Sequence, residues 1–248
     1  MKASFQKNND VAGLKTLQSI AAAKTFNAWM YQTIKPYIKG RVLELGAGIG
    51  NITDFLTSDF TSVVLSDYNP AYCEYLQNRY RLTKSVHDVL NIDLQDPAFR
   101  QTYRHLQASF DSILLLNVIE HLEDDRKCAD YCHFLLRPGG HFIVLAPAYA
   151  LLYSKLDKEI GHYRRYTKNT LASVLEDRGF YTLTKQYFNA VGVAGWLVFN
   201  KILGRKEIAK GTMKFYDSLV PLNRWVDKVL GQKFGLSAIV VGKKAEGK

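Results

Sequence analysis

The chain has little that would anchor it in a bilayer, staple it covalently or clothe it in negative charge. No run approaches the roughly 18 apolar residues that a membrane-spanning helix needs. The first ten residues contain no apolar core, which argues against a signal peptide. The three cysteines, Cys73, Cys128 and Cys132, are odd in number and lack zinc-ligand spacing. Free thiols in a reducing, cytoplasmic setting are therefore expected. Acidic residues are scarce: 23 against 33 Lys and Arg, a net charge of +10. That imbalance favours an acidic partner such as a nucleic acid, a phosphorylated substrate or an anionic membrane touched peripherally. Otherwise the composition is that of a folded protein, 47% hydrophobic and 23% charged over 248 residues, enough for one α/β domain with elaborations.

What is present is a glycine turn. Val42, Leu43 and Leu45 form a short apolar run ended by Gly46, Gly48 and Gly50, with a helix expected from about Ile52. This reads as the first strand and turn of a parallel α/β sheet, where bare backbone meets a ligand. About 20 residues on, Asp67 ends a second apolar run, where a carboxylate can take two ribose hydroxyls. A further step reaches Asp88, at the end of an expected third strand. Strands are expected near 41–46, 62–67, 84–89, 111–117, 140–146, 181–188 and 237–242. Alternation with helices implies right-handed crossovers and ligands beyond the carboxyl ends of the strands.

The residues then resemble a family. Glu44-Leu-Gly-Ala-Gly-Ile-Gly is similar to motif I of the class I S-adenosylmethionine-dependent methyltransferases. Phe110 to Leu122 resembles their fourth strand and the turn after it, and Leu136 to Pro147 their fifth. The resemblance implies a doubly wound, mostly parallel seven-stranded sheet of the Rossmann-like methyltransferase kind, with its last strands antiparallel. It implies S-adenosyl-L-methionine as cofactor and S-adenosyl-L-homocysteine as product. Cofactor contacts would come from Glu44, Gly46, Ala47, Gly48, Gly50, Asn51, Asp67, Tyr68, Asp88, Val89, Asn117 and Val118. Asp67 would hold the ribose, the Asp88-Val89 pair the adenine, and Glu44 would help the methionine amino group.

Four segments are expected: an N-terminal helical lid (1–40), the cofactor-binding core (41–189), a helical cap insertion (190–232) and the last strand with a basic tail (233–248). The lid reads as a helix from about Leu14 to Ile38, and it could equally be a cover for the sheet. The insertion carries Trp196 beside Lys201, Arg205 and Lys206, so contact with a membrane surface is its alternative to capping the acceptor pocket.

Candidate chemistry falls after the fourth and fifth strands. Gly161-His-Tyr-Arg-Arg-Tyr166 resembles an element of a subgroup of small methyltransferases, many encoded among glycosyltransferase and envelope-polysaccharide genes. His121 and His162 are the candidate bases, Arg164 and Arg165 offer fork-shaped donors for a carboxylate or phosphate, and Tyr166 a wall or hydrogen bond. Against these stands the plainer reading that the arginines pair with Asp157 or Glu159. Some quinone-pathway O-methyltransferases bind a metal through Glu-x-x-Glu-His at this turn; here Asn117 stands at the first position, so no metal is expected. The Asn-Pro-Pro-aromatic signature of nucleobase amino-methylation is missing. The expectation is O-methylation of a small anionic, sugar-, lipid- or peptide-linked acceptor. RNA or protein methylation is the second reading, though nucleic acid is disfavoured because the charge is scattered; a non-catalytic nucleoside sensor or partner subunit is the third. The oligomeric state is left open.

Overall fold

The computed structural model describes residues 11–197 and 216–246. The strands are β1 (Val42–Leu45), β2 (Val63–Asp67), β3 (Val86–Asn91), β4 (Phe110–Leu116), β5 (Leu136–Pro147), β6 (Phe180–Phe188) and β7 (Ser237–Lys244). They form one seven-stranded sheet in the order β3-β2-β1-β4-β5-β7-β6. Strands β1 to β5 pair in parallel, and β7 runs antiparallel between β5 and β6. The strand order reverses between β1 and β4, so the crevice for a ligand opens at their carboxyl ends.

The sheet is covered on both faces, which is why β1, β2 and β4 read as apolar runs without alternation. On one face Leu43, Leu45, Ile113, Leu115, Phe142 and Val144 pack under the helices Asp125–Leu135 and Lys168–Glu176. On the other, Val42, Leu65, Leu114 and Ile143 meet Trp29, Met30 and Ile34 of the helix Lys24–Ile34.

Two boundaries differ from the sequence reading. The leading helix is two helices, Val11–Ala21 and Lys24–Ile34, turned at Ala22 and Ala23. The amide of Asn27 donates to the carbonyl of Ile20 (3.0 Å) and ties the corner, a side-chain to backbone bond that periodicity does not register. Strand β5 begins at Leu136 rather than near 140, because Leu136 pairs with Phe110 directly after the preceding helix. Within the insertion, the helices Ala190–Trp196 and Val220–Val229 are described, whereas Lys201, Arg205 and Lys206 lie outside the described residues. Among the described residues no helix is long and apolar enough to cross a membrane.

Candidate active site

The glycine turn is built on left-handed backbone: Gly46, Gly48 and Gly50 have φ of +73°, +56° and +84°. Gly46 is the position most tightly required, because a Cβ there would run into the side chain of Val118 after β4. Behind the turn, Arg79 donates to the Ile49 carbonyl (2.8 Å) and pairs with Asp54 (2.6 Å). Above it lies the helix Val11–Ala21: Leu17 would sit 3.0 Å from a Cβ on Gly48, and Asn51 donates its amide to the Leu17 carbonyl (3.1 Å). This N-terminal helix lies over the glycine turn.

Asp67 is nearly buried at the carboxyl end of β2. Its two carboxylate oxygens accept from the backbone N–H of Gly48 (3.0 Å) and of Asn69 (2.9 Å). The two bonds fix both carboxylate oxygens at the carboxyl end of β2, beside the glycine turn. Glu44 is buried beneath the turn and accepts from the Thr53 hydroxyl (2.6 Å). Burial raises its carboxyl to about 7, against the opposing hydrogen bond from Thr53. Ala47 is buried in the turn, Tyr68 is exposed just past Asp67, and Asn117 is exposed in left-handed backbone at the end of β4.

Asp88 and Val89 do not reach this edge. Asp88 pairs with Val64 and Val89 with Leu65, while Asp67 is level with Asn91. Strand β3 therefore runs on past both residues, and the exposed Asp88 carboxylate accepts from the N–H of its own neighbour, Val89. The groups at the edge are Asn91, whose amide donates to the carbonyls of Asp67 and Tyr68 (both 2.9 Å), and Asp93, just beyond it. The burial of β3 follows no simple alternation, so apolar pattern alone could not locate its end.

The segment after β5 folds back as a clasp. Tyr149, in left-handed backbone (φ +60°), stacks on Tyr187 and Phe234, and its N–H donates to the Tyr166 carbonyl (2.8 Å). Ser154 opens the short helix Lys155–Glu159 and forms a capping box with Asp157. The fully buried Asp157 is the hub: it accepts from His162 Nδ1 (2.8 Å) and from Arg165 Nε (2.8 Å) and Nη2 (3.1 Å). Those donors hold its carboxyl down at about 2, overcoming burial, which acts the other way.

The arginines and tyrosine of the clasp are committed within the fold. Arg165 is buried, bound to Asp157, and stacks on the Trp196 ring at 4.3 Å. Arg164 pairs with Asp125 (3.0 Å) and donates to the Glu123 carbonyl (2.6 Å). Tyr166 donates to Asp125 (2.9 Å) and is buried. The expectation that Arg164, Arg165 and Tyr166 would meet an acceptor is corrected: their donors already have partners. Asp157 and Asp125 take the charge, and the plainer pairing of Arg165 with Asp157 is the one observed.

What the clasp presents is His162. Asp157 can only accept, so Nδ1 carries the proton and Nε2 is left as a lone pair. Nε2 lies 3.8 Å from a carboxylate oxygen of Glu120, and the His162 ring meets the His121 ring edge-on at 4.6 Å. Glu120 and His121 stand in the turn after β4, two residues beyond the Val118 that covers Gly46. Burial pushes Glu120 up to about 8 and His121 down to about 4. Asp157 was named from sequence only as a partner for the arginines; the Ser-x-x-Asp spacing of a helix start was a further signal of its place.

Comparison with known proteins agrees with this geometry. Residues 43–142 match the family model of a methyltransferase domain. A probable S-adenosylmethionine-dependent methyltransferase of Mycolicibacterium smegmatis is 30% identical over 155 residues, 61% of this chain and 56% of the relative. A ubiquinone biosynthesis O-methyltransferase of Xylella fastidiosa is 26% identical over 109 residues, 44% of this chain and 42% of the relative. The chain thus spans about half the length of the curated relatives named here. The crystal structure of an S-adenosylmethionine-dependent methyltransferase from Thermotoga maritima superposes with a TM-score of 0.60 at 16% identity, covering 90% of this chain and 91% of that one. With residues 43–142 matched to a methyltransferase domain, and with its fold, glycine turn and acidic strand end in place, the chain is similar to the class I S-adenosylmethionine-dependent methyltransferases.

Proposed function

We propose that this protein transfers the methyl group of S-adenosylmethionine to a hydroxyl oxygen of a sugar-, lipid- or peptide-linked acceptor. The reading is supported by the Asp157–His162 pair: Asp157 engages Nδ1 and leaves Nε2 facing Glu120 in the turn after β4. Bound in the crevice, the cofactor supplies an electrophilic methyl on a sulfonium and departs as the neutral thioether. The turn from Gly46 to Asn51 holds its amino-acid tail, Glu44 meets its ammonium, and Asp67 the ribose diol. Asn91, Asp93 and Tyr68 stand at the adenine end in place of Asp88 and Val89, and Asn117 and Val118 close the crevice from β4. The acceptor oxygen bonds to the methyl carbon as the carbon–sulfur pair leaves with sulfur. Its proton passes to His162 Nε2, and Asp157 steadies the imidazolium. A free anion as acceptor is less favoured, since Arg164 and Arg165 are engaged within the fold.

A surface feature supports peripheral contact with an anionic membrane. The helix Val220–Val229 buries Asn223 and Asp227 and exposes Leu222, Trp225 and Val229, with Arg224 and Lys228 exposed among them. An apolar, basic outer face suits a carrier lipid at a bilayer surface. RNA or protein methylation and a non-catalytic sensor rank below, as neither accounts for a base poised at the crevice. The test is transfer of methyl-labelled cofactor to a panel of glycosides, lipid-linked saccharides and peptides. Label should enter an alcohol oxygen with the wild type, and His162→Ala should lower kcat by about 10²–10⁴-fold at unchanged cofactor affinity. Transfer undiminished in His162→Ala would contradict the assignment of the base.

A further inference from the structure

We propose that Glu120, His121 and His162 together form a binding site for a divalent transition-metal ion, of the kind that accepts imidazole and carboxylate ligands. One ligand atom from each of the three lies within 4.8 Å of the others. In a bound site the metal–ligand distances are near 2.0–2.2 Å, which places ligand atoms about 3.3 Å apart.

Three observations point to a cation there. Glu120 is 1% exposed, yet neither of its carboxylate oxygens has a hydrogen-bond partner. A buried carboxylate left so is costly, and a metal ion is the ligand that would satisfy it. His162 donates its other nitrogen to Asp157, the arrangement in which a carboxylate fixes the tautomer and direction of a metal-bound imidazole. The His121 ring meets the His162 ring edge-on at 4.6 Å, which brings a second imidazole to the same point. Arg165, whose charge acts on Glu120, is bound to Asp157 and to the Ala148 carbonyl.

Two imidazoles and one carboxylate favour zinc, iron(II), cobalt or manganese over calcium or magnesium, and leave coordination positions open for an acceptor oxygen. The inference rests on reading this cluster as the acceptor end, and it specifies how the acceptor loses its proton. An ion held by Glu120, His121 and His162 would lower the pKa of an acceptor hydroxyl bound to it, and in that state His162 would act as a ligand in place of the base.

The test titrates the full chain with Zn²⁺ by calorimetry and with Co²⁺ by visible absorption. Wild type is compared with Glu120→Gln, His162→Ala and Asp157→Asn, with thermal unfolding checking that each folds. Glu120→Gln keeps the volume of the side chain, so its comparison stands even where the others are destabilised. One equivalent should bind to wild type, with visible Co²⁺ bands. Binding should be at least about 10-fold weaker in Glu120→Gln and His162→Ala, and about 10–100-fold weaker in Asp157→Asn. Equal binding in wild type and Glu120→Gln, or none in wild type, would overturn the site. Transfer that resists chelator yet fails in His162→Ala would overturn the metal and leave the base standing. Metal binding without methyl transfer to any acceptor would leave the site standing and count against the proposed function.

Discussion

At the scale of single residues, the glycine turn is the least forgiving part of the site. Gly46→Ala would place a methyl group into Val118 from backbone that L residues rarely adopt. The strain and the overpacking together should cost about 2–4 kcal/mol. Thermal unfolding should register this as a fall of about 5–15 °C. Glu44 gives the site a pH dependence with a definite sign. Its carboxyl ionises near 7, and the proposed ammonium partner favours the ionised form. Cofactor affinity should therefore rise, by about tenfold, as pH climbs from about 5.5 to about 7.5. Calorimetry on Glu44→Gln should show a flat profile over that window. Asp157 acts by positioning: Asp157→Ala strands Arg165 in the interior, and the loss of the pair should cost about 3–5 kcal/mol. The legible residues were those whose neighbours are close in sequence, as in the turn from Glu44 to Asn51 and at Asp67. Arg164 was misread because its partner Asp125 is 39 positions away. Nothing in the basic run Arg164-Arg165 announces that both charges are spent inside the fold.

At the scale of elements, the helix Val11–Ala21 lies on the glycine turn through Leu17 and the bond from Asn51. If it closes over the cofactor, proteolytic cleavage between residues 11 and 23 should slow when S-adenosylhomocysteine is added. Asn51→Ala should weaken that protection severalfold while leaving the sheet intact. The helix Val220–Val229 makes the opposite kind of prediction, since its apolar side faces out. Sedimentation with anionic vesicles should retain the wild type at low salt, and Trp225→Glu should release it; neutral vesicles should retain neither. Strands were readable because buried apolar runs broken by turn residues leave few alternatives. The helix corner at Ala22 and Ala23 was hidden, because a side-chain tie from Asn27 decides it. The true end of β3 was hidden too, because its pairing with β2, and not its own pattern, determines how far it runs.

At the scale of the whole molecule, sheet order and site are one fact. Strand order reverses between β1 and β4, and the donor and proposed acceptor groups cluster at that edge: Asp67 from β2, Val118 after β4, His162 after β5. The central claim is that the edge binds a sulfonium nucleoside. Calorimetric titration of S-adenosylmethionine, S-adenosylhomocysteine and NAD into wild type and Asp67→Ala tests it most directly. Both sulfur nucleosides should bind the wild type, at least about 100-fold more weakly in Asp67→Ala, and NAD should bind neither. Binding of NAD alone, or equal binding of S-adenosylmethionine to both proteins, would contradict the account.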